Sequence, residues 1–162
     1  MTWMIDLPDL AATERFGRQL GSVLTAGTTI ALNGPLGAGK THLTRAIAEG
    51  LNVVNPALVN SPTFVLIQEY PAQLPIYHFD AYRLKNPAEF ESLGTDEYFQ
   101  SGGVCIVEWA DKVTSSLPDD RLEITIDIIG PTARRLTISA GGPNANRILD
   151  SLGQLESPPT GR

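Results

Sequence analysis

Eight residues constrain this chain more than any other stretch: 34–41, reading GPLGAGKT. They satisfy G-x-x-x-x-G-K-[ST], with Gly34, Gly39, Lys40 and Thr41 at the specified positions. The pattern carries weight only between a strand and a helix, and both flanks comply. Before it, 28–33 (TTIALN) is β-branched and mostly apolar, as a strand covered on both faces is. After it, 41–51 reads as a helix that loses its pattern at Gly50. Strand, Gly-rich turn and helix in succession open a parallel α/β unit. The residue types suit an anion. Glycines let successive backbone N–H groups turn inward, where a Cβ would crowd a phosphate. The helix start adds unpaired N–H groups and the positive end of its dipole. Lys40 then reaches the β- and γ-phosphates of a nucleotide, and the Thr41 hydroxyl can ligate Mg²⁺.

Such a magnesium site also needs a carboxylate, usually at the end of a neighbouring strand. Glu108 closes the apolar run 104–107 (VCIV), although Asp is more usual there; Asp80 closes 76–80 (IYHFD) and is the rival. A strand-terminal carboxylate is ordinarily a solvated turn residue. Beside a nucleotide loop, one of these can ligate metal while the other holds a metal-bound or attacking water. His78 is read as structural or as a hydrogen-bond partner of this site, and His42 as the exposed start of a helix face. Trp109 is either a core aromatic or a contact for a partner. Ser61 and Thr63, in a Pro-containing loop, resemble a nucleotide-sensing switch.

The rest of the chain fits around this unit. A strand at 3–7 precedes a helix capped by Asp9, with Leu10, Phe16, Leu20, Val23 and Leu24 at helical spacing. Strands 64–70 and 76–80 are joined by five residues and are expected to pair antiparallel. Asn86-Pro87-Ala88-Glu89 is a helix start, and 122–128 alternates as a half-buried strand with a partner around 135–139. A last helix is expected over 144–152. The whole reads as one α/β domain over 1–153, with a mainly parallel central sheet, added antiparallel strands and helices on both faces. Residues 154–162 read as a disordered tail.

Composition narrows the function. The chain has 162 residues, a net charge of −6, and nine Arg but only three Lys (40, 85 and 112). That balance argues against a broad surface for duplex DNA or RNA. The single Cys105 excludes an internal disulfide, and the two His lack metal-ligand spacing. The N-terminus lacks the look of a signal peptide and no run suits a membrane span, so the cytoplasm is the expected compartment.

Taken together, GPLGAGKTHLTR (34–45), SPTF (61–64), YHFDAYRL (77–84), NPAE (86–89) and VCIVEWADK (104–112) resemble the TsaE (YjeE) family over about residues 5–140. HFDxYRL and the strand ending in Glu-Trp are more specific than the loop, which many enzymes share. The resemblance implies a P-loop NTPase fold. It also implies a small ATPase, with ATP and Mg²⁺ as cofactors, needed to make N6-threonylcarbamoyladenosine at position 37 of tRNAs that read codons beginning with A. Such a protein does not transfer the group; it resets a TsaB–TsaD pair, and tRNA is reached through those partners. By the same resemblance Leu36, Gly37, Ala38, Gly39, Lys40 and Thr41 hold the phosphates. Thr41 and Glu108 ligate Mg²⁺, and Asp80 assists the metal or the attacking water. Ser61, Pro62 and Thr63 form the switch-like loop, Trp109 matters to activity, and Leu10, Thr13 and Arg134 lie on the adenine side. Pro35, His42 and Ala110 depart from the usual pattern without removing a phosphate or metal group. Two other readings use the same loop: a small-molecule kinase, for which Arg134-Arg135 is the only adjacent arginine pair, and a nucleotide-gated binding module. A GTPase is disfavoured, because no N-K-x-D occurs.

Overall fold

The computed structural model of the chain describes residues 2–60 and 66–156. In chain order its elements are β1 (Thr2–Leu7), α1 (Leu10–Val23), β2 (Thr29–Asn33), α2 (Lys40–Gly50), β3 (Ile67–Tyr70), β4 (Ile76–Asp80), α3 (Pro87–Glu91), α4 (Thr95–Phe99), β5 (Val104–Glu108), β6 (Leu122–Ile128), β7 (Arg134–Ala140) and α5 (Pro143–Glu156). The strands form one sheet in the order β1-β7-β6-β2-β5-β4-β3. Its four central strands are parallel: β2 pairs with β5 and β6, and β5 with β4. Antiparallel strands finish both sides, β3 on β4 at one, β7 on β6 and β1 on β7 at the other. The expected mixed α/β architecture is the one observed.

Side-chain alternation explains this order. β5 is buried throughout and β2 nearly so, so both need cover on two faces and take the middle. On one face Ile30, Leu32, Ile106 and Ile124 meet Phe16 and Leu20 of α1, Leu43 and Ile47 of α2, and Leu149 of α5. On the other, Ala31, Phe79, Cys105 and Val107 meet Phe90 of α3, with Tyr98 and Phe99 of α4 packed alongside. β6 buries Leu122, Ile124 and Ile126 and turns Glu123 and Thr125 outward, as its alternation requires.

Local signals are obeyed where they are strong. Asp9 Oδ1 accepts from Ala12 N at 2.8 Å, and Asn86 Oδ1 from Glu89 N at 3.0 Å, the two expected caps. Differences fall at the ends. β3 begins at Ile67, because Leu66 sits at φ 72, outside the extended region. Of the strand expected over 64–70, residues 64 and 65 lie outside the described residues. α5 runs from Pro143 through Glu156, past the expected end at 152 and the boundary at 153. Gly153 does not stop it: a Cβ there would stand 2.9 Å from the Trp3 ring of β1, so the glycine serves packing. Residues 157–162 lie outside the described residues.

Candidate active site

The loop between β2 and α2 is shaped by close backbone approach. A Cβ on Gly34 would lie 2.8 Å from the Ile126 carbonyl, so the strand end admits only glycine. Gly39 sits at φ 100 and starts α2 without a side-chain cap, leaving the helix N–H groups to another partner. Arg134, at the start of β7, supports the loop from the side: its Nε donates to the Ala38 carbonyl at 2.9 Å, and Nη1 to Ala133 and Gly130.

Lys40 is 5% exposed. Its Nζ donates to the carbonyls of Gly34 at 2.7 Å and Pro35 at 3.0 Å, and lies 4.1 Å from the centre of the Trp109 ring. Burial pulls its pKa below the ordinary 10.5, while Glu108, Asp80 and Asp111 pull the other way. Trp109 can cover the amine because it adopts left-handed backbone, φ 58, directly after β5 ends. Its other neighbour is Tyr82, ring centres 4.8 Å apart, and the Lys112 ammonium donates to the Tyr82 carbonyl.

The two carboxylates arrive through strand register. Parallel β4 and β5 end together, with Asp80 opposite Glu108, both buried. The Thr41 hydroxyl donates to Glu108 Oε2 at 3.4 Å, and the same oxygen makes a 2.5 Å hydrogen bond with His78 Nε2. Asp80 Oδ1 accepts from Tyr82 N at 2.8 Å. Two buried carboxylates thus stand with one buried ammonium and the buried His78 ring. Their hard oxygen donors suit Mg²⁺. Among the described residues no three His, Cys, Asp or Glu side chains gather into a cage. A magnesium ion held by one or two carboxylates, phosphates and water needs none.

Two clefts meet at the loop. One, about 540 Å³, is lined by Leu36, Gly37, Gly39, Lys40, Thr41, His42, Asp80, Tyr82, Glu108 and Trp109. The other, about 280 Å³, is lined by Leu10, Thr13, Gly37, Ala38, Gly39, His42, Pro131, Thr132 and Arg134. Apart from Gly34, which lines neither, the residues expected to bind nucleotide line these adjoining clefts, and the expected metal group gathers in the larger. Thr13 turns its hydroxyl to the Asp9 carbonyl, and Arg135 pairs with Asp6 on β1. Ser61, Pro62 and Thr63 lie outside the described residues. His42, read as merely exposed, lines both clefts, and Tyr82, Pro131 and Thr132 were not singled out from sequence. Tyr82 follows Asp80 by two residues within YHFDAYRL, the one signal that marks it.

A family described as "Threonylcarbamoyl adenosine biosynthesis protein TsaE" matches residues 7–136. The chain belongs to the TsaE family. A TsaE protein of Bacillus subtilis (strain 168), described as a tRNA threonylcarbamoyladenosine biosynthesis protein, is 41% identical over 146 residues, 90% of each chain. The TsaE of Streptomyces coelicolor is 42% identical over 137 residues, 80% of this chain and 90% of its own. That of Haemophilus influenzae is 39% identical over 127 residues, 75% and 79%. A crystal structure described as Bacillus subtilus YdiB superposes with a TM-score of 0.81 at 32% identity, covering 97% of both chains. The TsaE match spans the loop, both carboxylate strands and Arg134 together, so every described site element lies inside it.

Proposed function

We propose that this chain is a Mg²⁺-dependent ATPase of N6-threonylcarbamoyladenosine synthesis on tRNA, working in the cytoplasm on a TsaB–TsaD pair rather than transferring the group itself. The observation that carries this reading is the Thr41–Glu108 contact beside Asp80, on the same cleft wall as Lys40. The loop N–H groups and Lys40 bind and orient the β- and γ-phosphates. Thr41 and Glu108 would hold the metal, and Asp80 would assist the metal or orient the attacking water. When bound, Mg²⁺ neutralises charge building on the phosphate oxygens. Trp109 and Tyr82 wall the cleft and limit water at Lys40.

Among the described residues, no arginine lines the larger cleft. A missing arginine or positioning glutamine can cost 10³–10⁵ in rate, so hydrolysis by the chain alone is slow and partners raise it. The test measures ATP hydrolysis and tRNA modification in a reconstituted system, with and without TsaB–TsaD. Lys40→Ala and Glu108→Ala should abolish both. Partners that neither bind nor alter the modification yield would refute the assignment. Variants that still support modification would show that hydrolysis is not the output.

A further inference from the structure

Glu108 closes a ring of hydrogen bonds that no phosphate or metal function requires by itself. From Glu108 Oε2 the ring passes to His78 Nε2 at 2.5 Å, and from His78 Nδ1 to the Tyr70 hydroxyl at 3.0 Å. That hydroxyl donates to the Asn60 carbonyl at 3.1 Å. Arg45 Nη2 donates to the Val59 carbonyl at 2.8 Å and to Asn60 Oδ1 at 3.4 Å. Arg45 lies on α2, one turn beyond Thr41, and Thr41 donates back to Glu108 Oε2. Four elements, α2, β3, β4 and β5, are therefore locked to one carboxylate oxygen.

The cost of this arrangement shows that it is specified. His78 is fully buried, and Tyr70 nearly so, its hydroxyl pushed above the ordinary range by burial. An apolar pair of the same size would fill these core positions without desolvating polar groups. Both contacts to Glu108 land on Oε2, and among the described residues no hydrogen bond engages Oε1. We propose that Tyr70 and His78 are positioning residues: they hold Oε2 beside Thr41 and so present Oε1 to the metal side of the cleft. This rests on the proposed Mg²⁺-nucleotide reading and adds two residues to it. Partners that orient a metal's ligands typically account for 10–100-fold in metal affinity.

The test uses the full chain and a fluorescent ATP analogue, titrated first in EDTA and then with Mg²⁺ at saturating nucleotide. Tyr70→Phe and His78→Leu should raise the Mg²⁺ concentration at half-response 10–100-fold, with affinity in EDTA within about twofold of wild type. His78→Gln, which keeps an N–H able to reach Glu108, should recover part of the loss. A merely structural pair would lower thermal stability and leave the Mg²⁺ midpoint in place, and that result overturns the proposal. If His78→Leu fails to fold, Tyr70→Phe, which keeps the ring, decides alone. A wild type with no Mg²⁺ response overturns the nucleotide reading and this one with it. A responsive wild type whose variants keep the wild-type Mg²⁺ midpoint overturns this one only.

Discussion

Burying Lys40 under the Trp109 ring strips its ammonium of hydration, and Glu108, Asp80 and Asp111 return only part of it. Its folded pKa lies below the unfolded 10.5, so the unfolded chain binds more protons between the two values. Stability contributed by this site therefore rises with pH through that alkaline window and is lower beneath it. Lys40→Met should match or exceed wild type in urea stability at pH 7 without nucleotide, and the gap should narrow as the pH rises towards 10.5. The same variant should lose stabilisation by MgATP. In wild type, ligand at about 100 times Kd adds ~2.7 kcal/mol, or about 5–10 °C in Tm for a domain of this size. A variant that keeps the shift would remove Lys40 from the phosphate site. Cys105 offers a second check. Burial pushes its thiol to about 12, so Ellman's reagent at pH 8 should react only at the unfolding rate. Fast labelling of the native chain would mean that β5 opens locally. Lys40, Thr41, Asp80 and Glu108 were legible because each stands at a strand or helix end with a fixed motif position. The support of Ala38 by Arg134 was not, because it joins segments that only the fold brings together; for Tyr70 and His78 the strand pair was expected, but not that these two side chains meet across it.

Glycines that weaken a helix on paper bind α1 to α2. A Cβ on Gly21 would stand 2.2 Å from the Ile47 carbonyl and 2.9 Å from Gly50 Cα, and one on Gly17 2.4 Å from Ala46 Cβ. The backbones touch, so no side chain can yield to relieve the crowding. Gly21→Ala should therefore cost about 1–3 kcal/mol in urea unfolding, despite the better helix propensity of alanine. Ser22→Ala, one residue on and exposed, should stay within about 0.5 kcal/mol. A neutral Gly21→Ala would mean that α1 can lift from the helix that follows the glycine-rich loop. This contact also shows where sequence reading stops. Period and capping were enough for α1, α2, β4 and β6, whose apolar positions repeat over five residues or more. The helix pattern is lost at Gly50 and α2 does end there, but nothing in the sequence announces that the same glycine packs against Arg18 and Gly21 of α1. α4 escaped notice because five residues after Gly94 are too short to show a period. A short element placed by Phe79, Phe90 and Phe99 stacking at 5.8–6.1 Å is a tertiary result, with no local pattern to announce it.

At the scale of the molecule, charge bears on the proposed route to tRNA through partners. The chain carries −6, and its few cations are largely engaged at home. Lys40 faces the loop carbonyls and Lys112 the Tyr82 carbonyl. Arg18, Arg121 and Arg135 pair with Glu49, Glu123 and Asp6, while Arg45 and Arg134 hold backbone carbonyls. Turning these groups to phosphates would break contacts within the fold, and surface pairs alone recover little on re-forming. A cationic face gripping about six phosphates would show a salt slope near −4 to −5 in log K against log salt. For the isolated chain with unmodified tRNA, the slope should be shallower than about −2, with no stable complex at 150 mM salt. Adding TsaB–TsaD should bring both chain and tRNA into one assembly, with the steep slope belonging to the partners. Filter binding across 50–200 mM salt measures the first, and sedimentation of the mixture the second. A steep slope from the chain alone would mean that arginines leave their carbonyls to grip RNA, and Arg134→Lys would then weaken tRNA binding as well as the support of Ala38.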